Sequence, residues 1–205
     1  MSVVILGCLI AYLLGSIPFS VWIGKTFYGI DVREHGSGNA GATNTLRVLG
    51  KKTGFIVLFL DSLKGFLAAN VVSVLDLDES LLLNYQMLFG MMAVIGHIYP
   101  IFAGFKGGKG IATLLGIVIA MSWKVSLVCM LCFVLIVWIT RFISVGSMLT
   151  CILSPLFVLV IHGKEMVFIY FCIGVALMVV YTHKSNIKRL LSGNENKFTF
   201  KPKTN

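Results

Sequence analysis

Negative charge is scarce in this chain. Eight Asp and Glu stand against seventeen Lys and Arg in 205 residues, and charged residues of both signs make up only 12% beside 58% hydrophobic ones. So few charges, at a mean hydropathy of +0.95, exclude an ordinary water-soluble globule and point to a polytopic membrane protein. Cysteine is sparse and odd in number. Cys8, Cys129, Cys132, Cys151 and Cys172 all fall in apolar stretches, which argues against a disulfide framework. Cys129 and Cys132 form a C-x-x-C, but mid-helix and without a βαβ setting, so they read as small hydrophobes. The first apolar stretch lacks a basic leader and an A-x-A site and is expected to be a retained helix. There is no internal repeat and no low-complexity segment.

Familiar catalytic signatures are missing too. No Ser, His and acid set stands out as a hydrolytic triad, and no H-E-x-x-H occurs. The H-x-x-x-x-D pattern of soluble-type glycerolipid acyltransferases fails, because Phe102 follows His97 at that spacing and Lys188 follows His183. A Walker A loop fails as well: Gly110 stands after Lys109 where Ser or Thr should bind magnesium, and Ala103 occupies the first glycine position. His35 and His162 have no metal-ligand spacing. Neither a metal nor a cofactor is expected.

What is present is a series of apolar blocks: Val3 to Gly24, Gly54 to Leu75, Leu81 to Phe102, Ile111 to Thr140, Phe142 to Ile161 and Met166 to Tyr181. A span needs roughly 20 apolar residues. The block from Ile111 to Thr140 would be about 45 Å long as one helix and carries Ser122, Trp123 and Lys124 near its middle, so it is expected to be two short spans. The fold expected is a single all-α domain, residues 1–205, of about seven transmembrane helices, with the N-terminus outside and the C-terminus cytoplasmic. The charges agree with that orientation. Lys25, Arg33, Arg47, Lys51, Lys52, Lys106, Lys109, Arg141 and the basic tail 182–205, with Lys184, Lys188, Arg189, Lys197, Lys201 and Lys203, fall inside. Only Lys124 and Lys164 fall outside. The net charge of +9 is thereby explained by anionic lipid headgroups, and nucleic acid is not an expected partner.

Three polar segments interrupt the apolar blocks, and this topology puts all of them at the cytoplasmic face. The first, Gly36 to Arg47, sets Ser37, Asn39, Thr43 and Asn44 among Gly36, Gly38 and Gly41, with Arg47 offering a planar fork for phosphate. It lies in a loop of about 30 residues, too long for a mere connector. The second runs from Gly96-His97 to Phe105-Lys-Gly-Gly-Lys-Gly110. There Lys106 and Lys109 flank Gly107 and Gly108, so bare amides at a helix start meet two ammonium groups, which favours an anion. The third follows the last block, from His183 to Glu195. On a continuing helix His183 and Asn186 would share a face. Glycine lets backbone N–H groups close around an anion while Arg, Lys, His and Asn add charge and hydrogen bonds. A membrane protein with three such segments is expected to handle a phosphorylated substrate. Asp61 and Lys64, three apart within the second block, are expected to be a structural ion pair.

A phosphate-rich pocket without a strong nucleophile suits a donor that is already activated. An acyl phosphate is one, since its inorganic phosphate leaves readily once its charge is matched. A transporter for a phosphorylated metabolite would also use glycine-broken helices, but it should show repeat symmetry and a midplane site, and neither is evident.

The residues also resemble a family. The run Tyr12-Leu-Leu-Gly-Ser-Ile-Pro-Phe19, the S-G-N-x-G-x-T-N-x-x-R from Ser37 to Arg47, the D-x-x-K-G from Asp61, the G-H-x-x-P from Gly96 with F-K-G-G-K-G from Phe105, and the H-x-x-N-I-x-R-L-x-x-G-x-E from His183 to Glu195 closely resemble the acyl-phosphate:glycerol-3-phosphate acyltransferases (PlsY). The likeness covers nearly the whole chain. It implies transfer of a fatty acyl group from acyl phosphate to the sn-1 hydroxyl of glycerol 3-phosphate, giving lysophosphatidic acid and phosphate at the bacterial plasma membrane. It also implies catalytic roles for Ser37, Arg47, Lys109, His183 and Asn186. Gly38, Asn39, Gly41, Thr43, Asn44, Lys106, Gly107 and Gly108 are then substrate-binding, and Asp61, Lys64 and Glu195 structural. Thr182 departs from the pattern, since relatives often carry Arg before the histidine.

Overall fold

The computed structural model describes residues 1–198, and Lys201 and Lys203 of the basic tail lie outside the described residues. Every regular element among the described residues is helical. The chain divides into two compact units, Met1–Trp123 and Lys124 onward.

The first unit holds α1 (Ser2–Gly15), α2 (Phe19–Tyr28), α3 (Ala42–Leu49), α4 (Lys51–Ala69), α5 (Leu82–Ile98) and α6 (Ile111–Met121). Its helices approach so closely that backbones touch. A side-chain carbon on Gly15 of α1 would collide with the Ala93 carbonyl of α5, and one on Gly116 of α6 with the Ser62 carbonyl of α4. Small residues at such crossings stand in for the hydrophobic drive that lipid does not supply between helices. Ala11, Ala68, Phe89 and Ala93, all fully buried, fill the centre.

The second unit holds most of α7 (Trp123–Thr140), with α8 (Ile143–His162), α9 (Met166–Thr182) and α10 (Lys184–Leu191). Gly146 of α8 packs against Val137 and Phe133 of α7.

Among the described residues, five helical stretches are long and apolar enough to cross a membrane: Ser2–Tyr28, Lys51–Val74, Glu79–Ala103, Trp123–Thr140 and Ile143–His162. Met166–Thr182 with Lys184–Leu191 makes a sixth if the pair is one bent span, and Ile111–Met121 is a shorter apolar helix. The overlong fourth block is indeed interrupted at Ser122, whose extended backbone (φ −161°, ψ 103°) ends α6.

The expected first span falls within Ser2–Tyr28, with a local break between Ser16 and Pro18, because Pro18 has no N–H to continue the ladder and its backbone leaves the helical region (φ −94°, ψ 69°). The freed carbonyl of Ile17 is taken by the Lys64 ammonium at 2.8 Å. The last span does not continue straight through His183 either: the axis bends by 60° between α9 and α10, with His183 as the joint (φ −95°, ψ 8°).

Candidate active site

The first glycine segment is folded around one amide. Asn44, at the start of α3 and only 1% exposed, accepts at Oδ1 from the N–H and hydroxyl of Ser37 (2.8 and 3.1 Å). Its Nδ2 donates to the carbonyls of Val32 and His35 (2.7 and 3.0 Å). Gly36 and Gly38 take left-handed φ of 62° and 72° in this turn, and a side chain on Gly36 would strike the Asn44 amide. The sequence pattern suggests substrate binding for Asn44. Every polar atom of its amide is engaged within the loop, which it shapes. Just before Asn44 the chain enters α3 with the N–H groups of Asn39, Ala40, Gly41, Ala42 and Thr43 taking no hydrogen-bond partner among the described residues. Such a run is a ready anion cradle. Arg47, one helical turn further, lies exposed on α3.

The second segment folds back onto the end of α5. Gly107 N–H donates to the Ile98 carbonyl and Gly108 N–H to that of His97, both at 3.1 Å. The sequence suggests that these amides face an anion, but carbonyls occupy them. The glycines are needed for close approach: a side chain on Gly107 would collide with the His97 carbonyl, and one on Gly108 with the His97 ring and, at 3.0 Å, the Ala40 carbonyl of the first segment. Lys106 is exposed and Lys109 partly so, just before α6.

Arg33 joins the two segments. Its Nε and Nη2 donate to Asp31 Oδ1 and Oδ2 at 3.0 and 2.8 Å, while Nη1 crosses to the carbonyls of Ala103 (2.8 Å) and Lys106 (3.4 Å). Asp31 also receives Lys25 at 3.2 Å. The Arg33 guanidinium holds the Asp31 carboxyl well below the usual carboxylate range. Residues 31–38 and 103–107 form the two walls of an open cleft of about 590 Å³ that includes Arg33, Gly38, Lys106 and Gly107.

A buried polar cluster adjoins the cleft at Gly107. Lys64 pairs with Asp61 Oδ1 at 2.7 Å, and His97 Nδ1 stands 3.6 Å from the same oxygen. All three residues are at most 6% exposed, and with Ala40 and Gly107 they line a cavity of about 10 Å³, about one water in size. Asp31, Arg33 and His97 are not among the site residues expected from sequence. His97 enters that reading as part of the second polar segment and its G-H-x-x-P but without an assigned role, and nothing in the sequence shows that Arg33 reaches across seventy residues.

In the second unit, His183 is buried and its Nδ1 lies 2.8 Å from the Val179 carbonyl. That contact fixes the proton on Nδ1 of the neutral ring and leaves the acceptor lone pair on Nε2. Glu195 gathers the segment: its Oε1 accepts from Asn186 Nδ2 (2.6 Å) and Ser144 Oγ (2.9 Å), and its Oε2 from Arg189 Nε (2.8 Å). Burial raises its carboxyl, but the Asn186, Arg189 and Ser144 bonds outweigh that and hold it below its ordinary value. Thr182 turns its hydroxyl back to the Val179 carbonyl at 3.0 Å. Among the described residues no three His, Cys, Asp or Glu side chains are grouped to hold a metal ion.

The family profile described as glycerol-3-phosphate acyltransferase matches residues 5–193. The chain belongs to that family. It is 44% identical over 195 residues, 95% of each chain, to a glycerol-3-phosphate acyltransferase 2 of Bacillus cereus. It is also 42% identical over 191 residues to the glycerol-3-phosphate acyltransferase of Fusobacterium nucleatum subsp. nucleatum, covering 93% of this chain and 96% of the relative. Among solved structures, it is similar to PlsY, described as an integral membrane glycerol 3-phosphate acyltransferase, in its glycerol 3-phosphate form (TM-score 0.87, 41% identity, 96% of each chain). The lysophosphatidic acid form is also similar (TM-score 0.85, 40% identity, 96% of this chain and 95% of that one). The protein is therefore an integral membrane acyltransferase of phospholipid synthesis.

Proposed function

We propose that the protein transfers a fatty acyl group from acyl phosphate to the sn-1 hydroxyl of glycerol 3-phosphate, releasing lysophosphatidic acid and inorganic phosphate. The acceptor and product are those for which the two similar PlsY structures are described. The observation that carries the reading is the first segment: five N–H groups from Asn39 to Thr43, unpartnered among the described residues, leading into the helix that bears Arg47. An acyl phosphate needs its departing phosphate stabilised far more than it needs a nucleophilic side chain, and preorganised N–H dipoles supply that stabilisation without reorganising.

In this mechanism the sn-1 oxygen attacks the acyl carbonyl, and the carbonyl–phosphate bond breaks with its electron pair leaving on phosphate. The acceptor proton passes to the departing phosphate in a direct, substrate-assisted transfer. Arg47 and Lys109 hold the substrate phosphates, Ser37 and Asn186 orient the reactants, and no acyl-enzyme forms. His183 orients the acceptor hydroxyl through Nε2, and its tautomer also suits it to accept that proton as a general base. Both units act as one acyltransferase domain, in a bacterial plasma membrane crossed about seven times, with the N-terminus outside and the three polar segments facing the cytoplasm.

Purified protein in detergent, given acyl phosphate and glycerol 3-phosphate, should release phosphate and form lysophosphatidic acid only when both are present. Phosphate release that ignores glycerol 3-phosphate, or turnover with acyl-CoA but none with acyl phosphate, contradicts the proposal.

A further inference from the structure

Arg33 lines the cleft with four of its five N–H donors already engaged inside the protein. Nε and Nη2 are engaged by Asp31, Nη1 by the far wall, and the charge is matched by a carboxylate that is itself only 8% exposed. The arrangement is built for shape. The backbone N–H of Arg33 also donates to Asp31 Oδ1 at 3.0 Å, fixing the short 3₁₀ turn Val32–Glu34. The guanidinium therefore leaves a rigid base and reaches two carbonyls of the opposite loop. It ties the walls together through a side chain, alongside the close packing of Gly108 on Ala40.

The geometry points to Arg33 as a positioning residue, which, braced by Asp31, sets the distance between the two glycine segments and so the width of the cleft that admits the phosphate-bearing acceptor. This rests on the function proposed above. Lysine cannot replace it, because a point charge on a flexible stem does not grip a carboxylate with two bonds and span to two carbonyls at once.

The test compares Arg33→Lys, Arg33→Ala and Asp31→Asn with the wild type in two readings. The first is the KM for glycerol 3-phosphate. All three variants should raise it about tenfold, the loss expected for one charge-assisted hydrogen bond, with kcat changed less. Lysine should rescue little. The second is backbone hydrogen exchange of residues 103–110 in the full-length protein, with α4 as internal reference. Protection at Gly107 and Gly108 should fall in each variant while α4 stays protected. A wild-type KM for Arg33→Lys, or a lowered KM for Asp31→Asn, would mean that the Arg33 charge meets substrate directly and overturns the proposal. Unchanged exchange in residues 103–110 overturns it too. Should the wild type show no acyl transfer at all, the functional reading fails while the exchange comparison still decides the clamp.

Discussion

The ring of His97 occupies the space that a side-chain carbon on Gly108 would need. One residue from the end of α5 thus dictates why the second segment carries adjacent glycines: the His97 carbonyl excludes a side chain at Gly107 and its ring excludes one at Gly108. Gly104, in the same loop, has a left-handed φ of 62° but nothing within 4 Å of its missing side chain.

Alanine at these three positions should therefore rank by what it meets. Gly104→Ala carries only the cost of left-handed backbone, about 1 kcal/mol. Gly108→Ala forces a packed ring to move, about 1–3 kcal/mol. Gly107→Ala meets main chain that cannot rotate aside and should cost the most. Thermal midpoints in detergent check the order, and pairing Gly108→Ala with His97→Ala should relieve the clash. Equal losses at all three positions would contradict it.

The Asp61–Lys64 pair predicts a different pattern. Removing one partner leaves a buried charge alone, so Asp61→Asn or Lys64→Met should each destabilise by about 3–5 kcal/mol. The double substitution should recover part of that loss, although the Lys64 bond to Ile17 O at the α1–α2 break is not restored. A double variant worse than the sum of the singles would sink the ion-pair account.

Much of this architecture is legible in the chain. The interruption at Ser122 follows from a block too long for one span, and the Asp61–Lys64 pair from two opposite charges three apart in lipid. Other features are not. The break before Pro18 hides inside a continuous apolar run, since hydropathy does not register a missing N–H. Helix α3 hides inside what reads as a loop because its eight residues include Thr43, Asn44, Thr45 and Arg47. That the Asn44 amide and the Gly108 N–H are bonded within the protein is not legible either, because composition shows which polar groups a segment owns but not which ones the fold has already used. The Arg33 contact depends on tertiary structure alone.

Acidification should weaken the third segment with a definite sign. The Glu195 carboxyl is held below its ordinary value of about 4.3 in spite of burial, by bonds from Asn186, Arg189 and Ser144. Its contribution is thus complete above that ordinary value and lost as pH falls through the lowered one. Asp31, held low by Arg33, follows the same sign. The gap in thermal midpoint between wild type and Glu195→Gln should stay constant from about pH 8 to 6 and narrow below about pH 4. A gap that widens in acid would contradict the bonding pattern.

Arg47→Ala and Lys109→Ala should each lower turnover by about 10²–10³-fold, the scale for losing one preorganised group aimed at developing charge. Thermal midpoints should stay near the wild type. Near-normal turnover in both would remove these residues from the phosphate sites.

The three polar segments are proposed to serve one reaction from one side of the membrane. Single cysteines introduced at Gly38, Gly104 and Lys188, in a background without the five native cysteines, can be labelled with a membrane-impermeant thiol reagent in right-side-out and inside-out vesicles. All three should label from the cytoplasmic face only. Labelling of any one from the opposite face would contradict the account.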